Sequence, residues 1–232
     1  MSETVHIQDA PAATPSKTFF GQVMGYFALA IASWAGGIMA GFYLLPPALI
    51  MSTPFLLGTL AVTLVLIFTA KKWSVGHFGY LFLIGFAALF GITIVPLLAV
   101  AAMTAGAVLI YKALFATVAM YAGLALYGLT THRDLSGMGG FLMAGLIGMI
   151  AVSLTTFVLS LFGVNVWGST IELVFSSFGV LLFAGFTIYD FQKIKSSAGH
   201  ITPIEGAIQL FLNFILLFQY VLRLMLALTN RN

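Results

Sequence analysis

LFLNFILLFQYVLRLML, residues 210–226, is apolar enough to lie in a bilayer, yet Asn213, Gln219, Tyr220 and Arg223 interrupt it. Gln209 stands just before the stretch, four positions from Asn213 and therefore on the same helical face. Within hydrocarbon a polar side chain needs a partner, a water-filled cavity or an interface. A helix of this kind is expected to run through the middle of a bundle, surrounded by the other spans, and not along lipid.

The rest of the chain supplies those spans. Of 232 residues, 61% are hydrophobic and 6% charged, whereas soluble domains carry about 25% charged residues. The mean hydropathy is +1.12. A crossing needs roughly 20 mainly apolar residues. Segments 19–43, 49–70, 77–99, 106–129, 138–162, 169–191 and 203–228 meet that requirement. The sequence therefore predicts an all-α polytopic membrane protein of seven transmembrane helices, six wrapped around a central seventh. Residues 1–17 are polar and Pro/Ala-rich and are expected to form a disordered cytoplasmic tail; residues 18–232 form the membrane domain. The first apolar run is long enough to span and lacks the layout of a cleavable signal. No cysteine is present, which excludes disulfides, thiolate metal sites and cysteine nucleophiles.

The net charge of +3 is explained by topology and does not point to nucleic acid. Lys17 precedes the first span, Lys71 and Lys72 follow the second, Arg133 follows the fourth, and Lys193 and Lys195 follow the sixth. The alternate connections, near Pro46, Ala101 and Gly163–Gly168, carry no Lys or Arg. The positive-inside rule places the N-terminus in the cytoplasm and the C-terminus outside after a seventh crossing. A re-entrant last segment, favoured by Arg231, would return the C-terminus to the cytoplasm.

Ser169-Thr170-Ile171-Glu172 and Thr202-Pro203-Ile204-Glu205 have capping-box spacing, so Glu172 and Glu205 are read as helix caps. Asp134 or Ser136 is read as the cap of the fifth span. Gly21/Gly25 and Gly37/Gly41 have GxxxG spacing, which suits close helix packing. Lys112 and Arg223 lie near span ends, where long side chains snorkel to the headgroups. Asp190 is too short for that. It either pairs with Lys193 or Lys195, or faces the bundle interior as a proton-responsive group, and its position alone supports both equally. His6, His77, His132 and His200 have no ligand spacing, and no Ser-His-Asp set, phosphate loop or flanking carboxylate pair appears. Neither an enzyme nor a resident cofactor is expected.

Four stretches, GITIVPL (91–97), YGLTTHRDLSGMG (127–139), GFTIYDFQKIK (185–195) and EGAIQLFLNFILLFQYVLRLM (205–225), resemble a bacterial member of the Bax inhibitor family, the transmembrane BAX-inhibitor-motif proteins. The resemblance implies a pH-responsive cation leak, best described for calcium, in the bacterial inner membrane. It also implies a proton-sensing pair of aspartates, one at the end of the sixth helix and one within the seventh. Asp190 matches the first; Asn213 stands at the second, in LFLNFI where the family pattern reads LYLDFI. Two close carboxylates share a proton and titrate as a pair, which an Asn cannot do, although its amide can donate to a carboxylate. Lys71 or Lys72 is the nearest match to a basic latch that closes the pore in some relatives. Gln209 and Arg223 are the further polar groups of the central helix.

Two functions follow from this resemblance. One is a pH-sensitive calcium or cation leak, with the ion as cargo. The other is a non-conducting regulator that binds a membrane-anchored AAA protease or another membrane partner, a contact the N-terminal tail would suit. The oligomeric state is left open, and a monomer is compatible with either.

Overall fold

The structure, a computed structural model, describes residues 17–50, 52–73, 78–164, 168–196 and 201–229. Residues 1–16 of the tail expected over residues 1–17 lie outside them, as do His6, His77 and His200. The described residues are helical in eight segments: α1 (Lys17–Leu44), α2 (Pro47–Ile50), α3 (Thr53–Trp73), α4 (Gly79–Ala105), α5 (Ala107–Thr130), α6 (Met138–Leu161), α7 (Ser169–Ser196) and α8 (Pro203–Thr229). Lys17, expected at the end of the tail, instead opens α1. Among the described residues, six helices, α1 and α4 through α8, are long and apolar enough to cross a membrane. The chain is a multi-pass membrane protein.

Three boundaries differ from the sequence reading, each for a local reason. The expected second span is split, because the Pro46 carbonyl accepts from the Leu49 and Ile50 N–H groups and closes the single turn of α2. Ser52 then accepts from the Phe55 N–H at 3.4 Å and starts α3. The connection expected near Ala101 is absent. Here α4 runs on to Ala105 and meets α5 at Gly106 alone, whose φ of 79° is open to glycine but strained for other residues. Finally, α7 does not stop at residue 191. It carries Gln192, Lys193 and Lys195 for another turn, tied down by a hydrogen bond from Lys195 Nζ to the Leu129 carbonyl of α5 at 2.7 Å.

The last helix is the core, as its polar interruptions led us to expect. Phe211, Ile215, Leu217, Phe218 and Leu222 of α8 are all fully buried. Its neighbours are α1, α4, α5 and α7, while α3 rests on α4 and α6 rests chiefly on α7. The expected ring of six helices around α8 is thus an inner group of four with two outriders. Lipid tails are as apolar as the side chains, so dispersion and close approach hold these contacts together. The closest approach joins α1 to α4: a Cβ at Gly37 would fall on the Ala88 backbone, and one at Gly91 on the Trp34 carbonyl. Gly37/Gly41 is therefore a real packing motif. Gly21 and Gly25 have the same spacing, but a Cβ on either would meet nothing within 4 Å.

Candidate functional site

Near one end of the bundle α7 and α8 bring two polar side chains together inside the core. Asp190 is 8% exposed and Asn213 6%. The Asn213 amide Nδ2 donates to Asp190 Oδ2 at 2.7 Å, within the range of hydrogen bonds to a charged acceptor. This separates the two readings of Asp190. Among the described residues neither neighbouring lysine forms an ion pair with Asp190: Lys195 Nζ bonds the Leu129 carbonyl, and Lys193 Nζ lies over the Tyr189 ring at 5.8 Å. Asp190 faces inward.

Aromatic rings enclose the pair. Tyr121 of α5 packs edge-on against Phe191 and Phe214, the residues that follow Asp190 and Asn213, with centroids 5.6 and 5.2 Å away. Its hydroxyl donates to the Leu210 carbonyl of α8 at 2.8 Å. Each such ring contact contributes about 0.5–1.5 kcal/mol beyond burial. One residue of α5 thus grips both helices that carry the pair. Tyr121 escaped the sequence reading, which weighed amides and charges in every span but a phenol only at Tyr220 in the last; a tyrosine in mid-span is the same kind of signal.

Gln209, one turn before Asn213, has a buried Oε1 with no hydrogen-bond partner among the described residues. Lys71 and Lys72 lie in the last turn of α3, and their side chains are outside the described residues. Lys112 is exposed on α5, as expected of a residue that reaches the headgroups.

A second polar group occupies the other end of the bundle. Arg223 Nη1 lies 3.6 Å from Glu172 Oε1, across the α7–α8 interface. Arg223, read as a residue that reaches the headgroups, also has a carboxylate to face, and Glu172, read as a cap of α7, directs Oε1 toward α8. The Ser169 side chain is outside the described residues. At α8 the capping box does form. Glu205 Oε2 accepts from the Thr202 N–H at 2.8 Å, and Thr202 Oγ1 accepts from the Glu205 N–H at 3.2 Å.

The THRDLSGMG segment folds as a loop pinned to α7. Gln192 accepts from the Leu135 N–H at 3.0 Å and donates to the Arg133 carbonyl at 2.6 Å. Arg133, Lys193 and Lys195 therefore share one end of the bundle, the end that holds Asp190. Neither Asp134 nor Ser136 caps α6, whose N-cap is Gly137 without a side-chain bond. Asp134 Oδ1 instead accepts from the Ser136 N–H at 2.9 Å, and the backbone and side chain of Ser136 hold the Asp134 carboxyl below its usual value of 3.8. His132 is exposed in the same loop.

The family profile described as "Inhibitor of apoptosis-promoting Bax1" matches residues 16–231. An uncharacterized protein of Campylobacter jejuni is 32% identical over 216 residues, covering 92% of this chain and 90% of its own. The inner membrane protein YbhL of Escherichia coli K12 is 31% identical over 226 residues, covering 90% of this chain and 91% of its own. A protein of Deinococcus radiodurans is 31% identical over 179 residues, covering 74% and 72% of the two chains. By the extent of the profile match and the length shared with these relatives, the chain belongs to the Bax inhibitor family.

Proposed function

We propose that the protein is a pH-sensitive cation leak of the inner membrane, with calcium as its cargo and Asp190 as the proton-responsive group. The observation that carries this reading is the buried hydrogen bond between Asn213 and Asp190 at the heart of the α7–α8 contact. A carboxylate in such a place is costly unless matched, so its protonation changes what α7 and α8 offer each other. The unpartnered Gln209 oxygen, one turn away, supports a polar path along α8. Calcium takes six to eight oxygen ligands, so a single carboxylate suits transient passage better than a tight site.

In this reading α3, which is 21 residues long, crosses as the seventh span. The end that holds Arg133, Lys193 and Lys195 faces the cytoplasm, as the positive-inside rule requires, together with the N-terminus. The name of the Escherichia coli relative supports the inner membrane as the location.

The test is calcium-dye flux in liposomes between pH 5 and 8, comparing the parent with Asp190→Asn and Asn213→Asp. Asp190→Asn removes the pH response, and Asn213→Asp, which restores a two-carboxylate pair, moves the midpoint. Three superimposable profiles would refute Asp190 as the sensor. No flux at any pH would refute conduction and leave the partner-binding regulator as the better account.

A further inference from the structure

Between α6, α7 and α8, at the end of the bundle opposite Asp190, lies a cavity of about 380 Å³. Its polar lining comprises Ser153, Thr156 and Ser160 of α6, Glu172 of α7, and Gln219, Tyr220 and Arg223 of α8. Glu172 and Asp190 are 18 positions apart on α7, or about 27 Å at ~1.5 Å per residue, so the two polar sites are distinct.

The chemistry of the lining is specific. Glu172 and Arg223 face each other at 3.6 Å, beyond the ~2.7–2.9 Å of a closed charge-assisted hydrogen bond. Each therefore keeps bonding capacity toward the cavity. Two hydroxyl protons of α6 are already committed, that of Thr156 to the Val152 and Ser153 carbonyls and that of Ser160 to the Phe157 carbonyl. Their oxygens present lone pairs and act as acceptors.

A cavity with one guanidinium, one carboxylate and several hydroxyl acceptors rejects simple ions of either sign. A divalent cation would meet the guanidinium and find a single anionic ligand, whereas it needs several. A lone anion would meet Glu172. A molecule carrying both an ammonium and an anionic group satisfies every part, because the guanidinium fork matches phosphate or carboxylate and the ammonium donates to Glu172 and the hydroxyls. The volume suits a small ligand or a headgroup. Near the site, Leu161 of α6, Phe162 just after it, and Ile171 and Val174 of α7 are exposed and apolar, a surface along which acyl chains can lie.

We propose that this cavity binds a zwitterion with a primary ammonium and an anionic group, supplied either as an ethanolamine phospholipid headgroup or as a free small zwitterion. The site does not depend on whether the protein conducts ions.

The experiment follows thermal unfolding of the detergent-purified full chain while four probes are titrated: dihexanoyl phosphatidylethanolamine, the corresponding phosphatidylcholine and phosphatidylglycerol, and O-phosphoethanolamine. The ethanolamine lipid raises Tm saturably. The choline and glycerol lipids act at concentrations about tenfold higher, since one has lost its ammonium N–H donors and the other its positive charge. Glu172→Gln and Arg223→Gln abolish the shift, and Thr156→Val weakens it without touching a charge, which keeps the test valid if Arg223→Gln does not fold. A shift from O-phosphoethanolamine equal to that from the lipid assigns the site to a free zwitterion; a shift from the lipid alone assigns it to the headgroup. Equal shifts from all three lipids, no shift from any probe, or a shift unchanged in Glu172→Gln would overturn the proposal.

Discussion

Asn213 and Asp190, 23 positions apart in sequence, meet side chain to side chain at 2.7 Å inside the α7–α8 interface. Both are nearly sealed from solvent, so the contact is the main polar link between the central helix and its most extensively packed neighbour.

Removing one side of that link is expected to cost more than removing both. Asn213→Leu leaves a buried carboxylate without its donor, a loss of about 1.5–3 kcal/mol for a hydrogen bond to a charged group. The double variant Asp190→Leu/Asn213→Leu is expected to be more stable than Asn213→Leu alone. Thermal unfolding of the single and double variants in detergent measures the coupling, and strictly additive effects would contradict it.

Glycine pairs of identical spacing are expected to respond oppositely to alanine. Gly37→Ala drives a methyl into the Ala88 backbone and is expected to destabilise the fold by about 1–3 kcal/mol, as overpacking does. Gly21→Ala meets nothing and is expected to stabilise α1 by up to about 1 kcal/mol through helix propensity. Unfolding midpoints of the two variants decide between them.

The cap at α8 is real and the one read at α6 is not. Thr202→Ala is expected to lower stability by about 1 kcal/mol, the usual worth of an N-cap. Ser136→Ala, at a position that caps nothing, is expected to stay within ~0.5 kcal/mol of the parent. Equal losses in chemical denaturation would remove the distinction.

Gln192 holds the 131–137 loop by two hydrogen bonds, so Gln192→Ala is expected to free it. Hydrogen exchange of the Leu135 amide should accelerate by about tenfold, the equivalent of ~1.4 kcal/mol of local opening, while amides in the middle of α7 remain protected. Gln192→Glu, which keeps the acceptor for Leu135 but loses the donor for Arg133, should fall between the two.

Asp134 gives a pH signature outside the bilayer. Its folded-state pKa lies below 3.8 because the Ser136 N–H bonds the ionised form. The turn is therefore intact above the ordinary carboxylate range and is lost as pH falls through the lowered folded value. An NMR titration should show the Ser136 amide and the Asp134 carboxyl shifting together with a midpoint under 3.8, and Asp134→Asn should flatten the profile. A midpoint at or above 3.8 would contradict the turn.

Much of this fold is written in side-chain polarity. Gln209 and Asn213 marked α8 as the core helix because amides at membrane depth are costly against lipid, and the Thr202–Glu205 box set its start because both halves are local. What failed depended on residues far apart in the chain. The contact of Glu172 with Arg223, on another helix, is invisible in a capping-box spacing. Gly37 and Gly21 are equivalent as letters and differ only in whether α4 lies opposite. The inward turn of Asp190 was half legible: its depth was readable, whereas the engagement of Lys195 by Leu129 required the α5–α7 packing.

The placement of the most enclosed helix at the C-terminal end has a consequence for biogenesis. Synthesis delivers α1, α4, α5 and α7 to the bilayer before α8 exists, so four helices must leave open the slot that α8 will fill. Until then Asp190 has no amide to meet, and the nascent bundle holds an unmatched carboxylate beside an unfilled groove. Arrival of α8 closes the groove and supplies the donor in one step, so a chain truncated before Asn213 would present quality-control proteases with a membrane protein whose interior is still open.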